Sequence, residues 1–250
     1  MALKEEMQSQ GNWLFKYRGT LPLVILVFGL ILYIQRESNP DFILGHGTIY
    51  ELVYDYICLA IGLLGLYIRV YAVGHTPANT SGRNTAQQEA DEVNSSGIYS
   101  IVRHPLYLGN FFMWLGVAML VANFWFIIAF CLAYWVYYER IMYAEEAYMI
   151  SKFGEKYTQW ASVTPAFIPN FKTFRKPSLK FSWKKILRRE KNSLAALTLL
   201  FAMFDILGQI INGYYKFNYV FTGLCIFSML LYLILNYLKY KTNVLSEEGR

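Results

Sequence analysis

Apolar runs of membrane-crossing length, set apart by short polar stretches, constrain this chain more than any other feature. A helix needs roughly 20 mostly apolar residues, with about 17 to 25 tolerated, to cross the hydrocarbon core of a bilayer. Six segments are candidates: Thr20–Gln35, Tyr50–Val73, Pro105–Ala122, Phe124–Tyr143, Ser193–Tyr214 and Tyr219–Tyr240. The first is short and holds Pro22 and Gly29. The second opens with Glu51 and Asp55, which belong near the interface because carboxylates deep in lipid are costly. Composition agrees: 56% of the 250 residues are hydrophobic and 16% charged, where a soluble domain carries about a quarter charged. The 21 Tyr and 6 Trp suit rings that sit at headgroup level. The expected fold class is all-α, a polytopic transmembrane bundle of about six spanning helices.

The net charge of +6 is placed beside apolar segments, which favours an anionic membrane surface over nucleic acid. Cys58, Cys131 and Cys225 lie far apart inside apolar runs and read as packing residues, with no disulfide or zinc spacing. No small-residue cleavage site follows the first apolar run, only Gln35-Arg36-Glu37, so that run is expected to stay as a membrane helix. Lys and Arg crowd the segment from Lys172 to Lys191 and end the sixth apolar run at Lys239 and Lys241, while the turn at Asn123 has none. The positive-inside bias then puts both termini and every strongly basic segment on the cytoplasmic face.

Two segments do not span. Gly74 to Gly97 is polar and reads as a cytoplasmic loop, so its sequons at Asn79 and Asn94 would never meet the glycosylation machinery. Phe181 to Lys191 alternates Phe181, Trp183, Ile186 and Leu187 with basic residues, which suits either an interfacial amphipathic helix or a solvated basic linker. The expected organisation is N-terminal membrane helices in 1–73, a catalytic core in 74–170, a basic amphipathic linker in 171–192 and a C-terminal helix pair in 193–250.

The chemistry concentrates between Gly97 and Asn170. Pro105 is preorganised for the first position of a helix and disfavours α geometry at His104, so Arg103 and His104 should sit at a helix mouth. Free amides there and the Arg103 guanidinium make an anion site. Gly109 and Gly116, seven apart, share one face and admit a closely packed partner helix or a flat ligand. The fourth apolar segment runs into Glu139, Arg140, Glu145 and Glu146, expensive in an apolar helix unless paired or wetted. Arg140 and Glu145 are about 140° apart on an ideal helix, so their pairing requires a bend. Gly154 reads as a helix stop, followed by a short helix with Tyr157 and Trp160 on one side, ended by Pro165. Asn123 alone separates the third and fourth segments, so both halves of this polar, aromatic pocket fall on one face of the membrane. Taken singly, the Arg103-His104 pair could equally anchor a helix at headgroups, and the acidic end could be a snorkelling terminus.

The combination Gly97-x-Tyr99-x-x-x-Arg103-His104-Pro105-x-Tyr107-x-Gly109, then Glu145-Glu146, Phe153-Gly154-x-x-Tyr157, Pro165 and Pro169, resembles the isoprenylcysteine carboxyl methyltransferase superfamily. The matching stretch covers about 75 residues and is far more specific than its Arg-His-Pro tripeptide. The superfamily also includes phospholipid N-methyltransferases. The resemblance implies a non-Rossmann S-adenosylmethionine pocket at the cytoplasmic face and methyl transfer to a membrane-embedded lipid or lipidated acceptor, at a carboxylate, phosphate or amine. It implies cofactor contacts from Tyr99, Arg103, His104, Tyr107, Leu108, Gly109, Glu145 and Glu146. It further implies catalytic roles for Arg140, as the acceptor-orienting arginine, and Glu145, which would fix it. The helix pair beyond Ser193 and the basic segment before it lie outside the match and leave the acceptor open. Two other readings stay open: an NADPH-dependent membrane reductase of related core, and a non-catalytic lipid-binding protein.

Overall fold

A computed structural model describes residues 2–39, 48–78, 80, 88, 90–213, 217–247 and 249. Among these there are eight α-helices and no strand, only an isolated bridge between Gly97 and Arg175. The helices are α1 (Leu3–Lys16), α2 (Leu21–Glu37), α3 (Ile49–Gly74), α4 (Pro105–Leu120), α5 (Phe124–Phe153), α6 (Glu155–Val163), α7 (Trp183–Ile211) and α8 (Tyr219–Lys241). The all-α membrane bundle expected from the apolar runs is what forms. Four helices, α3, α5, α7 and α8, are long and apolar enough to cross a bilayer. The other two anticipated spans, α2 and α4, have 17 and 16 residues. At 1.5 Å per residue they reach about 25 Å, short of a hydrocarbon core of about 30 Å.

The bundle's centre is the α3–α4 contact, and glycine makes it. A Cβ on Gly116 would lie 2.5 Å from the carbonyl oxygen of Cys58, and one on Gly65 would run into the Gly109 carbonyl. The two backbones therefore touch, the device by which membrane helices gain dispersion energy without a hydrophobic driving force. Around this seam α2, α3, α4, α7 and α8 share one core, with Cys58, Phe201, Phe204 and Phe221 buried in it. A second core joins α4 and α5 to α1: Phe15 packs with Tyr107, Phe130, Tyr134 and Tyr138. Tyr107 meets Tyr138 while Phe111, one turn on, meets Phe130, the register of an antiparallel hairpin. Its tip turns at Ala122, which takes φ +51°, and the Asn123 side chain caps α5 by accepting from the Phe126 amide at 2.9 Å.

Three local results differ from the sequence expectations. Helix α1 was not anticipated, because its face toward α5 is small and local: Gly11 lies against the Arg140 carbonyl, and the Tyr137 hydroxyl donates to the Tyr17 carbonyl at 2.6 Å. The basic segment after Phe181 is neither a separate interfacial helix nor a linker. It is the first part of α7, capped by Ser182, and no Gly or Pro interrupts the chain from Trp183 to Leu207. The expected boundary at 192 thus falls inside one helix, and Tyr214 lies outside the described residues, as does Asn79. Finally, α5 runs unbroken from Phe124 to Phe153, and Arg140 and Glu145 take different partners, Arg140 on Gln10 and Glu145 on Tyr107.

Candidate active site

At the end of the bundle where α3 and α5 finish and α4 and α7 begin, the chain wraps a cavity of about 360 Å³. Its floor is the turn before α4. Gly97, at φ +60°, opens a 3-10 turn over Ile98–Ser100, and His104, at φ -117° and ψ 62°, stands outside the α region before Pro105, which disfavours that region for the residue preceding it. A strap from Pro165 onward holds this turn from outside. The Arg103 amide donates to the Pro165 carbonyl at 2.9 Å, the His104 amide to Ala166 at 3.2 Å, and the Asn170 amide to the Ile101 carbonyl at 2.9 Å. Ser100 Oγ accepts from the Arg175 amide at 2.8 Å.

The side chains then form a chain of charge from α4 to α5. His104 Nε2 lies 2.9 Å from Glu146 Oε1, and Nδ1 lies 3.5 Å from Glu145 Oε2. Tyr107, one turn into α4, donates its hydroxyl to Glu145 Oε1 at 2.6 Å, and its ring stacks on the imidazole. Arg103 donates through Nη1 to the Ala161 carbonyl at 2.8 Å and stands 3.0 Å from Glu146 through Nε. That buried Nε–H is not aligned for a hydrogen bond. Burial alone would lower the His104 imidazolium; the hydrogen bonds and charges of Glu145 and Glu146 outweigh it and raise its pKa above the usual 6.5. The two carboxylates thus favour the protonated imidazole. The nearby phenols of Tyr99 and Tyr157 are pushed up, chiefly by burial and further by acidic neighbours, so both stay neutral hydrogen-bond donors.

The opposite wall comes from α3 and α7. Arg69 is bidentate to Glu190, at 2.9 and 2.8 Å, and its third nitrogen donates to Asn110 Oδ1 at 2.6 Å. Both members of this pair line the cavity, with Glu190 buried and Arg69 largely covered, 4% and 12% exposed at the side chain. The third side is aromatic: Tyr157 and Trp160 of α6 pack edge to face, and Trp160 Nε1 donates to the Tyr99 carbonyl at 3.2 Å.

Of the residues singled out in the sequence, Tyr99, Arg103, His104, Tyr107 and Glu145 line the cavity together. Glu146 stands behind them, paired to His104 and Arg103. Leu108 packs with Ile101 and Val102, and Gly109 is pressed against Arg69 and the Gly65 carbonyl, so both serve helix packing and are not among the lining residues. Arg140 lies outside the cavity. Its Nε donates to Gln10 Oε1 and its Nη1 to the Val136 carbonyl, each at 2.9 Å. On a straight helix it points about 140° away from Glu145. Sequence reasoning missed Arg69, Asn110 and Glu190. Arg69 carried a signal, a lone cation one and a half turns from the end of an apolar run, where ionisable residues mark sites. Glu190, a single acid amid many bases, gave none that distinguishes it from a surface charge.

The fold and the site define a class: a helical membrane protein whose polar pocket is built between helix ends and a strap, with no Rossmann element among the described residues. Residues 58–151, from within α3 to near the end of α5, match the isoprenylcysteine carboxyl methyltransferase family. The chain is 36% identical over 119 residues to the protein-S-isoprenylcysteine O-methyltransferase of Schizosaccharomyces pombe, covering 47% of this chain and 50% of that one. It is 29% identical over 114 residues to the enzyme of the same name from Tribolium castaneum, covering 45% and 41%. It is also 28% identical over 119 residues to the cobalt-zinc-cadmium resistance protein CzcN of Cupriavidus metallidurans, covering 48% and 52%. The chain thus spans about half the length of the curated relatives it matches. No solved structure matches it.

Proposed function

We propose that this protein transfers a methyl group from S-adenosylmethionine to a lipid or lipidated acceptor that reaches the pocket from the bilayer. The observation that carries the reading is the convergence of Arg103, His104, Tyr107 and Glu145 on one cavity at the end of a membrane bundle. The names of the relatives supply the reaction class. The cavity has the size of a site for a drug-sized ligand, roughly 300 to 1,000 Å³. Its donor set suits the cofactor. Glu145 can take the ammonium, the unaligned Nε–H of Arg103 can turn to the carboxylate, and Tyr157 and Trp160 can face the adenine or the sulfonium.

When bound, S-adenosylmethionine supplies a methyl already made electrophilic by its sulfonium. The protein's work is then mainly to position the partners and exclude water. His104, with a ring nitrogen on each of two carboxylates, orients Glu145 and Glu146. Arg140 faces α1; among the arginines that line the cavity, Arg18, Arg69, Arg103 and Arg189, our candidate to orient an anionic acceptor oxygen is Arg69, which Glu190 and Asn110 hold in one geometry. An amine acceptor would need a base, and of the carboxylates lining the cavity, Glu92, Glu145 and Glu190, Glu190 is committed to Arg69, so Glu145 is our candidate.

The test is binding of S-adenosylmethionine and S-adenosylhomocysteine to the protein purified in detergent. Wild type and Arg140→Ala should bind both in the micromolar range, and His104→Ala/Glu145→Ala should lose binding at least about tenfold, the loss of one or two charge-assisted contacts. A folded wild type that binds neither overturns the reading; binding of NADPH in their place would point to a reductase.

A further inference from the structure

From Val163 to Arg189 the chain has eight basic residues and no acidic one. Its first part is the strap whose inner side is engaged with the Arg103–His104 turn through the backbone bonds of Pro165, Ala166 and Asn170. The outer side is of another character. Ile168 and Phe171 are 77% and 76% exposed, and Trp183 is 67% exposed. Phe174 is half exposed. Lys172, Arg175, Lys176, Lys180 and Lys184, exposed too, stand among these rings.

Large apolar side chains interleaved with cations fit neither a protein core nor a face bathed in water. They fit the depth of lipid headgroups, where rings reach the acyl boundary and ammonium groups meet phosphates. The location agrees. The strap joins α6 to α7 at the end of the bundle where α3 ends, tied to it by the Ser182 amide on the Gly74 carbonyl at 2.9 Å. The absence of any carboxylate over 27 residues gives the face one sign of charge, opposite to that of an anionic leaflet.

We propose that residues 168–184 form a docking face for anionic phospholipid headgroups, placed so that the strap lies between the leaflet and the His104 turn. The inference rests on the membrane reading and is independent of the proposed methyl transfer. It gives the basic segment a partner and links the lipid surface to the wall of the pocket.

The experiment places the full chain in phosphatidylcholine nanodiscs doped with brominated phosphatidylglycerol or, in equal amount, brominated phosphatidylcholine. The fluorescence difference between wild type and Trp183→Phe isolates Trp183. Its quenching should be at least about twofold greater with the brominated anionic lipid, and this preference should shrink at 1 M salt, where screening falls to about 3 Å. Lys172→Glu/Lys176→Glu/Lys184→Glu should abolish the preference while keeping wild-type helicity and melting in plain phosphatidylcholine. Lys172→Gln/Lys176→Gln/Lys184→Gln, a milder change, should reduce it. Equal quenching by the two lipids in wild type overturns the proposal, as does protection of Trp183 from both, which would assign the face to an acidic soluble partner.

Discussion

His104 ties the two halves of the site together, and its charge state has a measurable consequence. The folded protein holds the imidazolium proton more tightly than an unfolded chain does, because Glu145 and Glu146 outweigh the cost of burial. A histidine whose pKa rises on folding contributes stability that is complete below its unfolded value, about 6.5, and is lost as pH climbs through the folded value. Melting of wild type and His104→Gln in the same detergent should therefore differ most near pH 6, with the gap narrowing as the pH rises above the unfolded value. A gap independent of pH would mean that the carboxylates do not hold a charged imidazole. At this scale the sequence was legible where a covalent constraint sets geometry: Pro105 fixes the turn, and the turn presents His104. It was illegible where a contact depends on rotation about a helix. Arg140 and Glu145 stand close in the chain, yet α5 turns one to α1 and the other to Tyr107.

Between elements, the α3–α4 seam sets how far Arg69 lies from His104's helix. Gly109 abuts the Arg69 stem, and Asn110, the next residue, accepts from its guanidinium. The glycine pair spaced seven apart was read correctly as a close approach, but the partner helix could not be named, since α3 and α5 both lay within reach. At Gly116 the obstruction is the backbone of Cys58 and Gly62, which cannot rotate away. Gly116→Leu must push α3 from α4. Overpacking of this kind costs about 1–3 kcal/mol, and the melting temperature should fall by several degrees. It should also weaken cofactor binding without touching the cavity, because the Arg69 wall moves with α3. Gly223→Leu on α8, where a Cβ would meet nothing, is the control and should leave both readouts unchanged. Unaltered binding by a folded Gly116→Leu would detach the seam from the site. The extent of α7 was hidden for a related reason: charge density suggested a boundary at 192, whereas an uninterrupted helix-compatible sequence with a serine cap carries the helix through, and brings Glu190 to the pocket.

For the molecule as a whole, charge is divided between the two ends of the bundle. The pocket end carries the basic strap and the start of α7. The far end carries acids: Glu37 and Glu51 bracket Arg36 at 3.3 and 3.5 Å, Asn212 holds Glu37 at 2.6 Å, and Asp205 accepts from the Asn218 amide at 2.8 Å. Orientation in a membrane follows the excess of Lys and Arg in short loops, so the pocket end should face the cytoplasm. The hairpin makes this testable at two points. Asn123 lies at its tip, and Lys156 lies in α6 beyond the other end of α5, more than 30 residues away. Along α5 alone the separation is about 45 Å, the thickness of a bilayer with its headgroups. Single cysteines at these positions, in a chain freed of Cys58, Cys131 and Cys225, should react with an impermeant maleimide from opposite sides: Asn123→Cys in intact cells, Lys156→Cys only after the membrane is opened. A cysteine at Trp183 should follow Lys156, because the strap and the start of α7 are tied to the same turn as the pocket. Labelling of Lys156→Cys and Asn123→Cys from one side would break the hairpin across the membrane. Labelling from opposite sides but in reversed order would leave the fold intact and put the pocket, its strap and any lipid acceptor at the outer leaflet instead.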